Sequence, residues 1–181
     1  MTAVTPLPLE AIADPELRDL IAEGEALGVP DALFSRILAR APAQGKPLLR
    51  ALIMSHRDGG VDHTLKEIMR VQLARFAGDA YFSGLRSRQA REAGLTEEAI
   101  DAGSGDYEDT PRFTEAEKCA LRYAEQMYLD PNKVDAAFNA ELKTHFTEAQ
   151  IMELGSFIAL HYGMQMFMRS LRAALPFCHD G

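Results

Sequence analysis

The sequence is poor in the residues that most chemistries need. It has two cysteines, Cys119 and Cys178, far apart and in neither a CxxC nor a CxH element. Dithiol redox chemistry, which needs an attacking thiolate and a resolving thiol within reach, therefore has no local basis. Both thiols read as buried or incidental. Basic charge is also short: 19 Lys and Arg against 27 Asp and Glu give a net charge of −8. Nucleic acid and anionic membrane surfaces, which attract basic faces, are disfavoured as partners. The longest apolar stretch, 157–168, is interrupted by His161 and Gln165 and is too short to span a bilayer. The opening twenty residues are acidic and proline-punctuated, unlike a secretory leader, and the chain reads as cytoplasmic. No grouping of His, Asp and Glu has metal-ligand spacing, so neither a metal nor a cofactor is expected.

Strand alternation is equally scarce, while helix punctuation recurs, and the pattern predicts an all-α fold. Asp14-Pro15-Glu16 opens a helix ending near Gly28. A second follows Asp31 and is closed by Pro42. A third runs from about Gly45 to Arg57, where Asp58-Gly59-Gly60 stops it. Asp62 caps a helix over 63–77 that carries Leu65, Ile68, Met69, Leu73 and Phe76 on one face and Val71 with Ala74 on the other, so it should be covered on more than one side. A continuous helix is expected from Asp79 to Ala93 and a short one from Thr96. The glycine- and aspartate-bearing stretch 102–113 is the longest loop, a connector or a lid. Capping boxes at Thr114/Glu117 and Thr147/Gln150 begin two more helices, the latter running to Pro176, with another over 134–144 between them. Eight or nine helices and short connections make one domain over 1–181, with an extended arm at 1–13 and a tail at 177–181.

The stretch LKEIMRVQLARFAGDAYFSGLRSRQAREAGLTEEAIDA resembles the core of the carboxymuconolactone decarboxylase and AhpD-like alkylhydroperoxidase superfamily. LFSRILARAPAQGKPLLRALI upstream, and FTEAEKCALRYAEQM with the last helix downstream, are similar to that family's flanks. The resemblance implies an AhpD-like multi-helix bundle and a homo-oligomer, often a trimer or hexamer. It aligns Glu67 with the family's glutamate, Asp79 and Phe82 with its two cysteines, and Arg86 with its histidine; Tyr81 precedes the second cysteine position. Both sulfurs and the relay histidine are thus replaced, and peroxide reduction is not expected.

Polar groups still occupy that region. In a continuous helix Asp79, Phe82, Ser83 and Arg86 share one face, giving an acid, a ring, a hydroxyl and a guanidinium. One reading is a small-carboxylate site, with Arg86 as anchor and Glu67, Asp79, Tyr81 or His161 as acid or base. The other is an Asp79 N-cap and an Arg86 paired with a nearby carboxylate. A covered Glu67 is expected to be desolvated, with its pKa raised. In the last helix His161, Gln165 and Arg169 form a polar stripe that lines a pocket or an interface. Met164, Met166 and Met168 line a ligand cavity or pack the core. Two functions stay open: a non-redox acid–base enzyme acting on a small carboxylate or lactone (lyase, decarboxylase or isomerase), and a non-catalytic ligand-binding or scaffolding oligomer. The first predicts an open cavity with unpaired polar groups. The second predicts Phe82 filling the site and Arg86 neutralised by a neighbour.

Overall fold

A computed structural model describes residues 3–172. Among them there is no strand; the helices are α1 (Pro15–Leu27), α2 (Ala32–Leu38), α3 (Pro42–Arg57), α4 (His63–Phe76), α5 (Ala80–Gly84), α6 (Arg88–Glu92), α7 (Glu97–Gly103), α8 (Glu115–Leu129), α9 (Ala136–His145) and α10 (Glu148–Ser170). The fold is an AhpD-like helical bundle.

Side-chain capping explains most of these boundaries, because the first amides of a helix have no intrahelical acceptor. Asp14, Asp31, Asp62, Thr96, Thr114 and Thr147 each accept from a first-turn amide, and both capping boxes close. Gly28 ends α1 in the left-handed region at φ 84°. Pro42 does not close α2, which ends at Leu38; it occupies the first position of α3, where its missing N–H costs nothing. The last helix ends at Ser170, short of Pro176, which lies outside the described residues together with Cys178 and the tail.

The expected 79–93 helix is split. Leu85 is extended, Arg86 lies between helices, and Ser87 caps α6 by accepting from the amide of Ala90. The break has a tertiary cause. The carbonyls of Phe82 and Leu85 accept from the guanidinium of Arg70, and those of Ser83 and Leu85 accept from that of Arg86, so side chains replace the helical amides as donors.

Helix α4 is the hub. It is buried from Leu65 to Ala74, and apolar clusters pack on two sides of it. One cluster joins α1, α2 and α3 through Leu17, Phe34, Leu49 and Ile53, and reaches Phe82 and Met168. The other joins α7, α8 and α10 through Ile100, Leu121, Leu154 and Ile158. The 104–114 loop is pinned to the second cluster by Tyr107 and Phe113, which are buried, and Tyr107 Oη donates to Glu125.

Candidate functional site

Glu67 and Arg70 stand one turn apart on α4, and neither side chain is exposed to solvent (0% each). Arg70 Nε donates to Glu67 Oε2 and Nη2 to Oε1, both at 2.8 Å, a two-pronged pair. The amide of Ser87 donates to the same Oε1 at 2.8 Å. The rest of the guanidinium serves the carbonyls of Phe82 and Leu85, each at 2.7 Å. Burial pushes the Glu67 carboxyl upward, but the guanidinium and the amide outweigh it and hold the carboxyl below its ordinary range. This corrects the expected rise: α4 is covered as anticipated, yet the buried carboxylate is stabilised as an anion and is a poor general base.

The residues aligned with the dithiol sit in a closed environment. Asp79 Oδ1 accepts from the amide of Phe82 at 2.9 Å and caps α5. Phe82 is buried in the first cluster, edge-on to Phe34 and Tyr81. Tyr81 Oη donates to Asp31, and burial followed by the Asp31 charge pushes the phenol well above its ordinary pKa. Ser83 Oγ donates to the carbonyl of Ala80. Arg86 gives Nε to both oxygens of Glu97 at 2.9 and 3.1 Å and Nη2 to Oε2 at 2.8 Å. Because Arg86 lies beyond the end of α5, these residues do not form the single helical face that the spacing predicts.

The polar stripe of α10 points at α4. Gln165 Nε2 donates to the carbonyl of Arg70 at 3.3 Å, and Arg169 Nη1 donates to the carbonyl of Ala77. Met168 is buried in the first cluster and Met164 packs against it, which places both in the core. His161 belongs to a group that the spacing does not predict. Its Nε2 lies 3.1 Å from Ser55 Oγ, whose proton is given to the carbonyl of Leu52; His161 is therefore the donor, protonated on Nε2. Its ring lies edge-on to His56 at 4.7 Å, and His56 lies edge-on to His63 at 5.3 Å. His63 Nε2 meets Ser87 Oγ at 2.7 Å, tying the row to the Glu67 site. Burial lowers the pKa of all three imidazoles, that of His56 to about 3. At neutral pH the row is uncharged.

His56 and His63 look like helix-end residues in the sequence, which is why they escape a motif search. One signal was available: His56 continues the Leu49, Leu52, Ile53 stripe of α3 and so faces the core.

Cys119 is fully buried on α8, and burial pushes its thiol up to about 11. It is not a reactive thiolate. Three surface cavities lie away from all these groups. One of about 290 Å³ and one of about 410 Å³ are lined by charged side chains of α1 and α3 around Glu16 and Arg50. The third, about 340 Å³ and largely apolar, lies beside Ile37, Leu48 and Phe167. Among the described residues no three His, Cys, Asp or Glu side chains converge as ligands of one metal ion.

No protein-family model and no curated protein matches this sequence. Solved structures do match in fold. A Cys-to-Ala variant of the debrominase Bmp8, in complex with 2,3,4-tribromopyrrole, superposes with a TM-score of 0.82 at 18% identity, over 98% of this chain and 93% of that one. An AhpD-core, uncharacterized peroxidase-related protein from Ralstonia eutropha JMP134 has a TM-score of 0.77 at 15% identity, covering 93% of this chain and 89% of its own. An uncharacterized peroxidase-related protein from Silicibacter sp. TM1040 gives 0.75 at 13%, covering 99% and 94%. The AhpD-like frame is thus shared along nearly the whole chain.

Proposed function

We propose that this chain is a non-redox protein that uses the AhpD-like frame to bind or scaffold rather than to reduce hydroperoxides. One observation carries the reading: every polar side chain aligned with the dithiol site already has a partner within the chain. Arg86 is neutralised by Glu97, Glu67 by Arg70, and Phe82 is buried in the first apolar cluster. A carboxylate substrate would have to displace Glu97 to reach the Arg86 fork.

The acid–base alternative, a lyase, decarboxylase or isomerase working on a small carboxylate or lactone, draws its support from the buried histidines beside Glu67. Thermal-shift screening separates the two readings, because a ligand bound only by the native state raises its melting temperature. The screen takes small carboxylic acids, lactones and 2,3,4-tribromopyrrole. The binding or scaffolding reading predicts that no carboxylate stabilises the protein through Arg86. Arg86→Ala should itself lower the melting temperature, by about 2–4 °C per kcal/mol lost. A carboxylate whose stabilisation vanishes in Arg86→Ala supports the acid–base reading instead.

A homo-oligomer, trimer or hexamer, belongs to the same proposal. Exposed Met54, Leu129, Met152 and Phe167 supply apolar surface for contact between copies. Light scattering that gives the 20.0 kDa monomer mass contradicts it. No described helix is long and apolar enough to cross a membrane.

A further inference from the structure

Three helices each deliver one imidazole to the buried row: His56 from α3, His161 from α10 and His63 from the first turn of α4. The two outer rings are held by Ser55 and Ser87. The middle ring is not held. Neither Nδ1 nor Nε2 of His56 has a hydrogen-bond partner, although the residue is 1% exposed. A neutral imidazole carries one N–H and one bare nitrogen, so this slot contains an unpaired donor and an unpaired acceptor, and leaving either unpaired in the interior is destabilising. Phe157 packs edge-on against the same ring at 5.5 Å, so the surroundings already suit an aromatic hydrocarbon. An imidazole at this position sacrifices stability and adds one property that phenylalanine lacks, the ability to take up a proton.

One anion, Glu67, faces His56 and favours a proton there, but its carboxylate is shared with Arg70, and burial outweighs it. From α4, His63, Lys66, Glu67 and Arg70 face His56; from α10, His161 does. Glu67, the anion among them, is saturated by Arg70 and the Ser87 amide. Lys66 Nζ donates to Glu153 and to the carbonyls of Ser55 and Asp58, so it ties down the C-terminal end of α3 while adding positive charge beside the row. Burial is the main obstacle to a charged His56, and the nearby Arg70 and Lys66 add to it.

We infer that the histidine row is an acid-sensitive latch: its neutral rings hold the C-terminal half of α3 against α4 and α10, and proton uptake releases that half together with the 58–61 turn. The latch stands apart from the binding reading above, because it needs no ligand. The lowered pKa values of His56 and His161 fit it, since protons bind to the released form and not to the closed one. For each imidazole that regains an ordinary pKa on release, the opening constant rises about tenfold per pH unit below about 6.5.

Amide hydrogen exchange tests this on the whole chain, at pH 7 and pH 5 and corrected for intrinsic exchange. Protection of the α3 amides from Leu49 to Arg57 should fall at least tenfold at pH 5, while protection in α8 is unchanged. In His56→Phe/His161→Phe the fall should shrink at least several-fold, leaving only what His63 contributes. If the double variant does not fold, His56→Gln, which cannot titrate, should reduce the fall. Equal loss in α3 and α8 would mean general acid unfolding and overturn the latch. Undiminished loss in the variants, or no loss in the natural chain, would overturn it too.

Discussion

At the scale of single residues, Arg70 shows how one side chain can close a site. It neutralises Glu67, with neither side chain exposed, and satisfies the carbonyls of Phe82 and Leu85 where α5 breaks. Removing one partner of such a pair leaves an uncompensated buried charge and costs more than removing both. Arg70→Met should therefore destabilise by about 3–5 kcal/mol, and adding Glu67→Gln should recover part of the loss, as read by denaturant unfolding. The pair was half legible in the sequence. Val71 and Ala74 indicate that the Glu67 face is covered, but only the fold shows that Arg70 turns toward Glu67, and this reverses the expected direction of its pKa. His56 governs a second property. Its folded pKa of about 3 lies below the ordinary 6.5, so between these values the unfolded chain binds the extra proton. Stability should thus be fully present above about pH 6.5 and fall by several kcal/mol as pH drops toward 3. His56→Phe should flatten this slope in a series of melts from pH 7 to pH 4.

Among the elements, helix starts were the most legible feature, because a cap is a local device: Asp or Thr bonds to an amide two or three residues on. Asp14, Asp62, Thr114 and Thr147 each behave as their neighbours in the chain require. Thr114→Ala should cost about 1 kcal/mol in thermal or chemical unfolding. The break at 85–87 was not legible, since the groups that favour it, Arg70 and the Glu67 acceptor of the Ser87 amide, come from another helix. With the break went the shared face of Asp79 and Arg86. The turn between α3 and α4 rests on a similar long-range contact. Glu153 of α10 accepts from the amides of Gly60 and Val61 and from Lys66. Gly59 has φ 127°, and a Cβ there would meet the Glu153 carboxylate at 2.0 Å. Gly59→Val should accordingly destabilise by more than about 1 kcal/mol, and Glu153→Ala by about 3 kcal/mol or more, because it strips the buried Lys66 of its one carboxylate. Urea unfolding of both variants checks this.

For the molecule as a whole, α4 anchors two apolar clusters, and α3 and α10 bring distant histidines to its first turn. The all-α frame was legible because periodicity and caps are repeated along the chain. The histidine row was not, because residues 56, 63 and 161 share no spacing that a motif could express. Its neighbours in fold include a debrominase and uncharacterized peroxidase-related proteins at 18% identity or less, and such a likeness shows the fold without selecting an activity. The most direct test of a frame retained without thiol chemistry is hydroperoxide consumption in the presence of a dithiol reductant, comparing the natural chain with Cys119→Ala/Cys178→Ala. A frame without thiol chemistry gives no consumption above background in either protein. Turnover by the natural chain that disappears with the two cysteines would overturn the non-redox reading.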